Sequence, residues 1–302
     1  MIDILALGVC SVDDLLYVDV YPPANGKSRV QHAERQCGGL SANALVAAAR
    51  LGAHCAFAGQ LGSDELSQTV IDNFRLRGID LTHLKHDPTA KPVHSTIVIS
   101  DGGKSRAIFP YRPGNYGAPD DWPAPDVIRS VRVLFVDHMG ARGQARAARI
   151  AREAGVPVVS DLERDESPYF GELNGLIDHA IFSHEFATHL THQPDAAQAV
   201  QMLAQDRAVT IVTVGEQGCF VVDGAAPNMV QHVPAFTVDV VDTTGCGDCF
   251  HGGYAYGLAL GLPLMQRIRL ASATAALKAT QRGGQAGCPT MTQVQMFLAQ
   301  QA

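Results

Sequence analysis

Near its C-terminal end the chain reads Val241-Asp242-Thr243-Thr244-Gly245-Cys246-Gly247-Asp248-Cys249-Phe250, and a long Ala-rich apolar segment follows. Gly245, Cys246 and Gly247 are small enough for the backbone to turn tightly into a helix, so that free amide N–H groups converge on one spot. The helix dipole adds positive charge there, which favours an anion by roughly 0.3–1 kcal/mol per interaction at exposed positions. Asp248 puts a carboxylate into the same nest. Such a group serves either as a helix cap or as a general base. A base would take a proton from a hydroxyl while the adjacent amides hold the charge that develops on a transferred phosphoryl group.

A second cluster lies two hundred residues earlier. Gly38-Gly39-Leu40-Ser41-Ala42-Asn43-Ala44 precedes an Ala-rich helix, and its paired glycines permit a ligand to approach the backbone closely. Asn43 offers a polar side chain in the first helical turn. Asp13 and Asp14 follow the first apolar strand, Ile2 to Gly8, and are candidate hydroxyl acceptors in a loop at the strand's carboxyl end, where α/β folds bind ligands. Thr213-Val214-Gly215-Glu216-Gln217-Gly218 ends another strand in an accessible Gly-containing loop along which a nucleotide could lie. Arg282-Gly283-Gly284-Gln285-Ala286-Gly287 could give carbonyls to a cation or to an adenine edge. Cys246 and Cys249 form a C-x-x-C without a second ligand pair nearby, so they read as small helix-packing residues rather than a zinc site.

The elements that must carry these residues alternate. Strands at His54 to Ala58, Val131 to Asp137, Val156 to Ser160, Ala180 to Ser183 and Val209 to Val214 are interleaved with helices, one running to Arg77 and one from about Gln144 to Glu153. Further helices are expected at Asp248 to Leu260, Leu264 to Ala279 and Thr290 to Ala299. Strand-helix alternation implies a mostly parallel sheet with helices on both faces. Four segments differ: Leu15 to Val20, Ser28 to Glu34, Val93 to Ser100 and Ser105 to Tyr111 alternate apolar and polar residues, the last two joined by an Asp101-Gly102-Gly103 turn. They are expected to form a small sheet over a cleft.

The totals narrow the function. In 302 residues, 23 basic residues stand against 30 acidic ones, for a formal charge of -7. The basic residues form no run, so nucleic acid and membrane surfaces are unexpected partners and a small molecule is expected. The apolar stretches fall short of the ~20 residues a membrane span needs. Seven cysteines, an odd and scattered set, suggest a reducing cytoplasm. Neither a G-x-x-x-x-G-K-[ST] loop nor a G-x-G-x-x-G after the first strand is present.

Together, the early Gly-Gly-x-x-x-Asn-Ala and the late Asp-Thr-Thr-Gly-Cys-Gly-Asp-x-Phe resemble the two signatures of the ribokinase-like (PfkB) carbohydrate kinases, with Cys246 where Ala is usual. Within that family the chain is similar to sulfofructose kinase-like and ketohexokinase-like members. The resemblance implies a three-layer α/β/α core with a small β-sheet lid, lid strands lying at about 15–36 and 93–111 of a single domain. It implies ATP, with Thr213, Gly215, Gly218 and Gly284 in its site, and a sugar beneath the lid. Asp248 then looks like the base and the amides of Gly245, Cys246 and Gly247 like the anion hole. Asp13, Gly38, Gly39 and Asn43 match sugar-contacting positions. Lys27 and Arg106 are candidate lid contacts to substrate, and they either reach phosphate on closure or lie solvated. Asp242 and Thr244, with carbonyls near Gly284 and Gly287, match a region that binds potassium in many relatives. Where many members carry Asn-x-x-Glu for magnesium and phosphate, this chain has Ser183-His184-Glu185-Phe186. Either Glu185 substitutes from a shifted position or Mg²⁺ is held mainly by ATP oxygens and water. Pro110 and Met139 stand where an anion-binding subgroup would carry polar and Arg partners. The expected activity is transfer of the γ-phosphoryl of ATP to a primary hydroxyl of a small sugar, with a homodimer formed through the lid. A nucleoside kinase, its base stacked on Tyr17, Tyr21, Tyr111 or Tyr116, and a non-catalytic sugar sensor are the alternatives.

Overall fold

The protein is described from a computed structural model, which covers residues 1–100, 105–204 and 206–301. The first apolar run forms β1 (Ile4–Ala6), and the chain leaves it for two strands of a second sheet, β2 (Ser11–Val18) and β3 (Val30–Gly38). Helix α1 (Leu40–Arg50) returns to β4 (Cys55–Phe57), after which β5 (Gln60–Leu61) and β6 (Lys85–His86) flank α2 (Glu65–Leu76). Two more strands of the second sheet, β7 (Val93–Ser100) and β8 (Ser105–Tyr111), lead to α3 (Pro125–Arg129) and β9 (Val133–Asp137). Then come α4 (Ala141–Glu153), β10 (Val158–Asp161), α5 (Phe170–Gly175), β11 (His179–Ser183), α6 (His184–Thr191), α7 (Ala196–Leu203) and β12 (Val209–Thr213). The chain closes with β13 (Cys219–Asp223), β14 (Val230–Val233), α8 (Cys246–Ala259), α9 (Leu264–Ala279) and α10 (Met291–Gln300).

The main sheet runs β14-β13-β12-β11-β10-β9-β1-β4, parallel from β12 to β4 and antiparallel at its last two strands. Its central strands are apolar at successive positions because both faces are covered. Ile4, Phe135, Val159 and Ile211 share a core with residues of α1, α2, α8 and α9, whereas Leu5, Leu134, Val158 and Phe182 join residues of α3 to α7. This is the three-layer arrangement the alternating pattern implies. The chain goes from β1 to its neighbour β4 on one side and later to β9 on the other, so the connections diverge between β1 and β9. A crevice opens at the carboxyl ends of strands where the order reverses in this way.

Over that crevice lies the four-stranded sheet, in the order β3-β2-β7-β8. It begins at Ser11 rather than near residue 15, and this corrects one expectation. Ser11 to Asp14 are not a loop but the start of β2, hydrogen-bonded to antiparallel β3 and parallel β7. Two adjacent carboxylates hid the strand, although the alternation of side chains in a strand explains them by sending neighbours to opposite faces. The Asp101-Gly102-Gly103 turn expected between β7 and β8 lies outside the described residues. Helix α4 starts at Ala141, three positions before the expected Gln144, because Gly140 adopts a left-handed conformation (φ 74°) that begins the helix. Helices α5, α6 and α7, of 6, 8 and 8 residues, went unforeseen. They are too short to present a clear helical period.

Candidate active site

Asp137, the last residue of β9, fastens the crevice. It is fully buried. Its Oδ2 accepts the Val9 amide and the Ser41 hydroxyl, each at 2.7 Å, and its Oδ1 accepts the Met139 amide at 2.7 Å and Gln144 Nε2 at 3.1 Å. One carboxylate thus joins the exit of β1, the start of α1 and the turn after β9. Burial pushes Asp137 up to about 6, against the bonds from Ser41, Val9 and Met139.

At its N-terminus α8 is capped by Gly245 in the left-handed conformation (φ 75°), with no side chain bonded to its amides. Asp248 therefore does not serve as a cap. Its Oδ2 accepts a 2.7 Å hydrogen bond from Asn43 Nδ2, and Asn43 Oδ1 accepts Gln285 Nε2 at 2.9 Å. One asparagine in the first turn of α1 thereby joins residues 205 and 242 positions away. The turn leaves fewer free amides than expected, since the Cys246 amide bonds Thr243 O at 3.1 Å. Gly245 and Gly247 supply the remaining donors. A Cβ placed on Gly247 would meet nothing within 4 Å, so the space before the turn is open.

Behind Asp248 stands Asp161, the buried last residue of β10. Desolvation raises both carboxyls well above the ordinary range. The charges of Glu163 and Asp137 push Asp161 further up while its hydrogen bond with Asp248 lowers it, and the charge of Asp161 raises Asp248 while the Asn43 bond pulls it the other way. His251, one helical turn on, lies 3.6 Å from Asp161 Oδ2, with its ring nitrogens 2.8 Å from Gly247 O and 3.2 Å from Ile181 O. The deep end of the crevice is thus charge-crowded and poor in water, conditions that make a carboxylate a stronger base.

On the acceptor side, β2 separates the two adjacent aspartates. Asp14 is consumed by Arg35 (2.7 Å to Nε) and His94 (2.7 Å), and the Arg35 bond, followed by that of His94, holds it below its usual range. Among the described residues Asp13 has no basic partner bonded to it but accepts from Ser95 and, at 3.1 Å, from Ser11 Oγ; burial raises it against these two bonds. The Gly38-Gly39 pair is dictated by contact. A Cβ on Gly38 would lie 2.4 Å from Asp13 Oδ2, and one on Gly39, whose φ is 101°, would lie 2.6 Å from Val9 O. From lid strand β8, Arg106 Nη1 donates to Thr244 Oγ1 at 3.2 Å, bringing a cation to the mouth of the α8 turn. Lys27 is exposed on the β2–β3 connection and has no bond to these groups among the described residues.

A cavity of about 430 Å³ at the ends of β10 and β11 is lined by Glu163, Ser183 and Glu185. Desolvation and the charge of Glu185 raise Glu163, while His251 and Arg164 oppose them. Among the described residues no three His, Cys, Asp or Glu side chains converge as a metal cage. Two carboxylates beside an anion nest fit Mg²⁺ held largely by phosphate oxygens and water. Thr213 and Gly215 lie at the β12–β13 turn, where a Cβ on Gly215 would meet open space, whereas Gly218 is pressed against Val233 O and packs rather than faces a ligand. Gly284 abuts Gly245, on which a Cβ would lie 3.2 Å from Gly284 Cα.

Asp242 Oδ1 accepts the Thr244 amide and Oδ2 the Gly283 amide, both at 2.8 Å. Beside them lies a residue that sequence reading missed. The wholly buried Lys278 donates from Nζ to Asp242 O at 2.7 Å and Gln281 O at 3.1 Å, with Asp242 Oδ2 at 3.8 Å. Also missed were Asp161, Glu163, His251 and Gln285. Asp161 had a signal as a polar residue ending a buried strand, but nothing in the sequence pointed to its pairing with Asp248. The C-x-x-C cysteines do pack: Cys249 is buried with its Sγ 3.2 Å from that of Cys288.

Comparison with known proteins identifies the family. The chain is 26% identical over 310 residues to the ribokinase of Bacillus subtilis (strain 168), covering 99% of this chain and 100% of the relative. It is 28% identical over 308 residues to the ATP-dependent ribose-1-phosphate kinase of Halopiger xanaduensis, with 99% of each chain covered. The structure of Arabidopsis thaliana ribokinase, solved with ribose and ATP, superposes with a TM-score of 0.86 over 99% of both chains at 20% identity. Residues 3–291 match the pfkB family carbohydrate kinases, and the chain belongs to that family.

Proposed function

We propose that the protein transfers the γ-phosphoryl group of ATP to a primary hydroxyl of a small sugar or sugar derivative, with Asp248 as general base. The observation that carries this is the Asn43–Asp248 bond, which holds an uncapped, charge-crowded carboxylate at an open anion-binding turn. ATP with Mg²⁺ supplies the electrophilic phosphoryl group and part of the charge neutralisation. The chain's own residues do the rest. Asp13 and the backbone at Gly38 and Gly39 seat the acceptor, and Asn43 aims Asp248 at its hydroxyl. Asp248 takes the hydroxyl proton as the oxygen becomes nucleophilic, and the amides of Gly245 and Gly247 steady the oxyanions of the transferred group. Arg106 adds a cation from the lid, and Glu163 and Glu185 are the carboxylates available to the magnesium. Thr213, Gly215 and Gly284 border the nucleotide, while Gly218, packed against Val233 O, supports the turn from behind. The names of relatives, a ribokinase and a ribose-1-phosphate kinase, support a sugar acceptor.

Potassium fits the Asp242 and Thr244 region poorly, because the Lys278 ammonium already lies against the oxygens a cation would use. We read Lys278 as a tethered cation that holds the Asp242 and Gln281 loops in register beneath the α8 turn. The lid also supports a homodimer: its edge strand β8 exposes Ile108, Phe109 and Tyr111, and uncovered edges invite pairing. A second copy should be seen by light scattering at assay concentration, and a strict monomer there removes the dimer.

With an accepted sugar, kcat/KM should fall on the acid side through a group titrating above the ordinary carboxylate value of ~4. Asp161→Asn removes the neighbouring charge and should move that limb to lower pH. Asp248→Asn should lower kcat by about 10²–10⁴-fold. Because its folded pKa is raised, Asp248 contributes stability that is complete at low pH and is lost as pH rises through that value. Asp248→Asn should therefore melt above wild type at neutral pH, with the gap closing in acid; equal turnover by the variant would remove the base. Wild-type turnover should be the same in potassium and in sodium salts, and Lys278→Met should cost on the order of 3 kcal/mol of stability. Strong potassium activation of the wild type would contradict the role given to Lys278.

A further inference from the structure

A cavity of about 650 Å³ opens beside the acceptor site. Its walls come from three places. Arg112 directly follows β8, in which Pro110 pairs with Ser95 and Ser95 with Asp13, so it continues the row that carries the acceptor carboxylate. His138 follows Asp137, whose partner on the next strand is Asp161. Arg164 lies three residues beyond Asp161, and Gly140 and Arg142 lie at the start of α4.

The lining is built from donors. The first turn of α4, a helix of 13 residues, has neither a side-chain cap nor an acidic residue. His138 Nδ1 accepts the Glu163 amide at 3.3 Å, which leaves the proton on Nε2. That Nε2 is buried without a partner, on a side chain only 9% exposed. An N–H in such a place costs about 1–3 kcal/mol unless something accepts from it. Burial, with Arg164 and Arg112 adding to it, holds His138 down to about 4, so the ring is neutral and donates one bond. Among the three guanidinium groups, Arg142 is met by Asp120 at 3.3 Å and Arg164 by Glu166 at 3.5 Å. No carboxylate pairs with Arg112 among the described residues; it lies over the Tyr116 ring, 5.9 Å from its centroid. The lining thus carries one uncompensated positive charge. Arg142 likewise covers the Tyr169 ring at 5.8 Å, so these two ring faces are occupied by cations and not free to stack a nucleobase.

We propose that this cavity binds an oxyanion carried by the acceptor sugar, a carboxylate or a phosphate monoester, on the end remote from the hydroxyl that is phosphorylated. The proposal rests on the kinase reading above. Arg112 and His138 Nε2 are its specific donors, with Arg164 and the α4 amides beside them. The sequence places Pro110 and Met139 where polar and Arg partners for such a group are expected; the charges come instead from Arg112 and Arg164.

The test is kinetics and calorimetry on the full chain with matched compounds: neutral aldoses and ketoses, the corresponding sugar acids and sugar monophosphates, and inosine. The acids or the monophosphates should be preferred to their neutral parents, and this selectivity should weaken with salt. Arg112→Gln should cut the ratio of kcat/KM for anionic over neutral acceptor by at least ~10-fold through KM, the scale of one charge-assisted hydrogen bond. Arg112→Lys should restore part of it. Titration of the same anions into wild type and Arg112→Gln, without ATP, reads the subsite independently of turnover. Absence of phosphoryl transfer with every acceptor would overturn the kinase reading alone if anion binding still depended on Arg112. Preference for neutral sugars or inosine, or anion binding unchanged in Arg112→Gln, would overturn the subsite.

Discussion

The site depends on a single hydrogen bond, from Asn43 to Asp248. It joins the start of α1 to the start of α8, and through Gln285 it holds the loop after α9 as well. Without it the two halves of the crevice would be placed only by packing, whereas phosphoryl transfer loses rate steeply when groups shift by an ångström. Much of the fold serves this junction. Asp137 fixes the start of α1 against β1 and β9, and the Ala-rich face of α1 packs on Gly252 of α8, where a Cβ would lie 2.3 Å from Ala44 O, so the helices that carry the bonded pair approach closely.

A cost accompanies that arrangement. Asp161 and Asp248 are buried together, and burial with the charge of Asp161 makes the ionisation of Asp248 harder. A structure selected for stability alone would not place them so. In the proposed reaction, where Asp248 takes a proton from an alcohol, the same crowding makes its carboxylate the stronger base. Opposing charge is distributed around the pair rather than placed on it. Lys278 lies under the turn, Arg106 reaches its mouth from the lid, and His251 backs Asp161, so the anionic ligands of the reaction meet cations while Asp248 remains crowded.

Much of this was legible from sequence, for particular reasons. The parallel core showed itself because the buried strands are mostly apolar runs without alternation, each followed by a glycine or polar residue. Long helices such as α9 were found to the residue, from Leu264 to Ala279. The two glycine clusters marked backbone that must pass close to something, and at Gly39 the contact with Val9 O explains why. The rest is contact across long separations. Nothing in the run containing Asp161 says that it backs Asp248, and nothing around Lys278 says that its ammonium ends beside Asp242. The short helices α5 to α7 lack a readable period, and the start of β2, Ser11 to Asp14, was mistaken for a loop because two adjacent carboxylates resemble turn residues.

The central claim is that Asp248 is a base made strong by its surroundings, and its ionisation can be read directly. In protein labelled with ¹³C at aspartate side-chain carboxyls, titration followed by NMR should show Asp248 changing well above the ordinary carboxylate value of ~4, together with Asp161, and at lower pH once Asp161 is replaced by Asn. A resting Asp248 that titrates near ~4 and ignores that replacement would contradict the account.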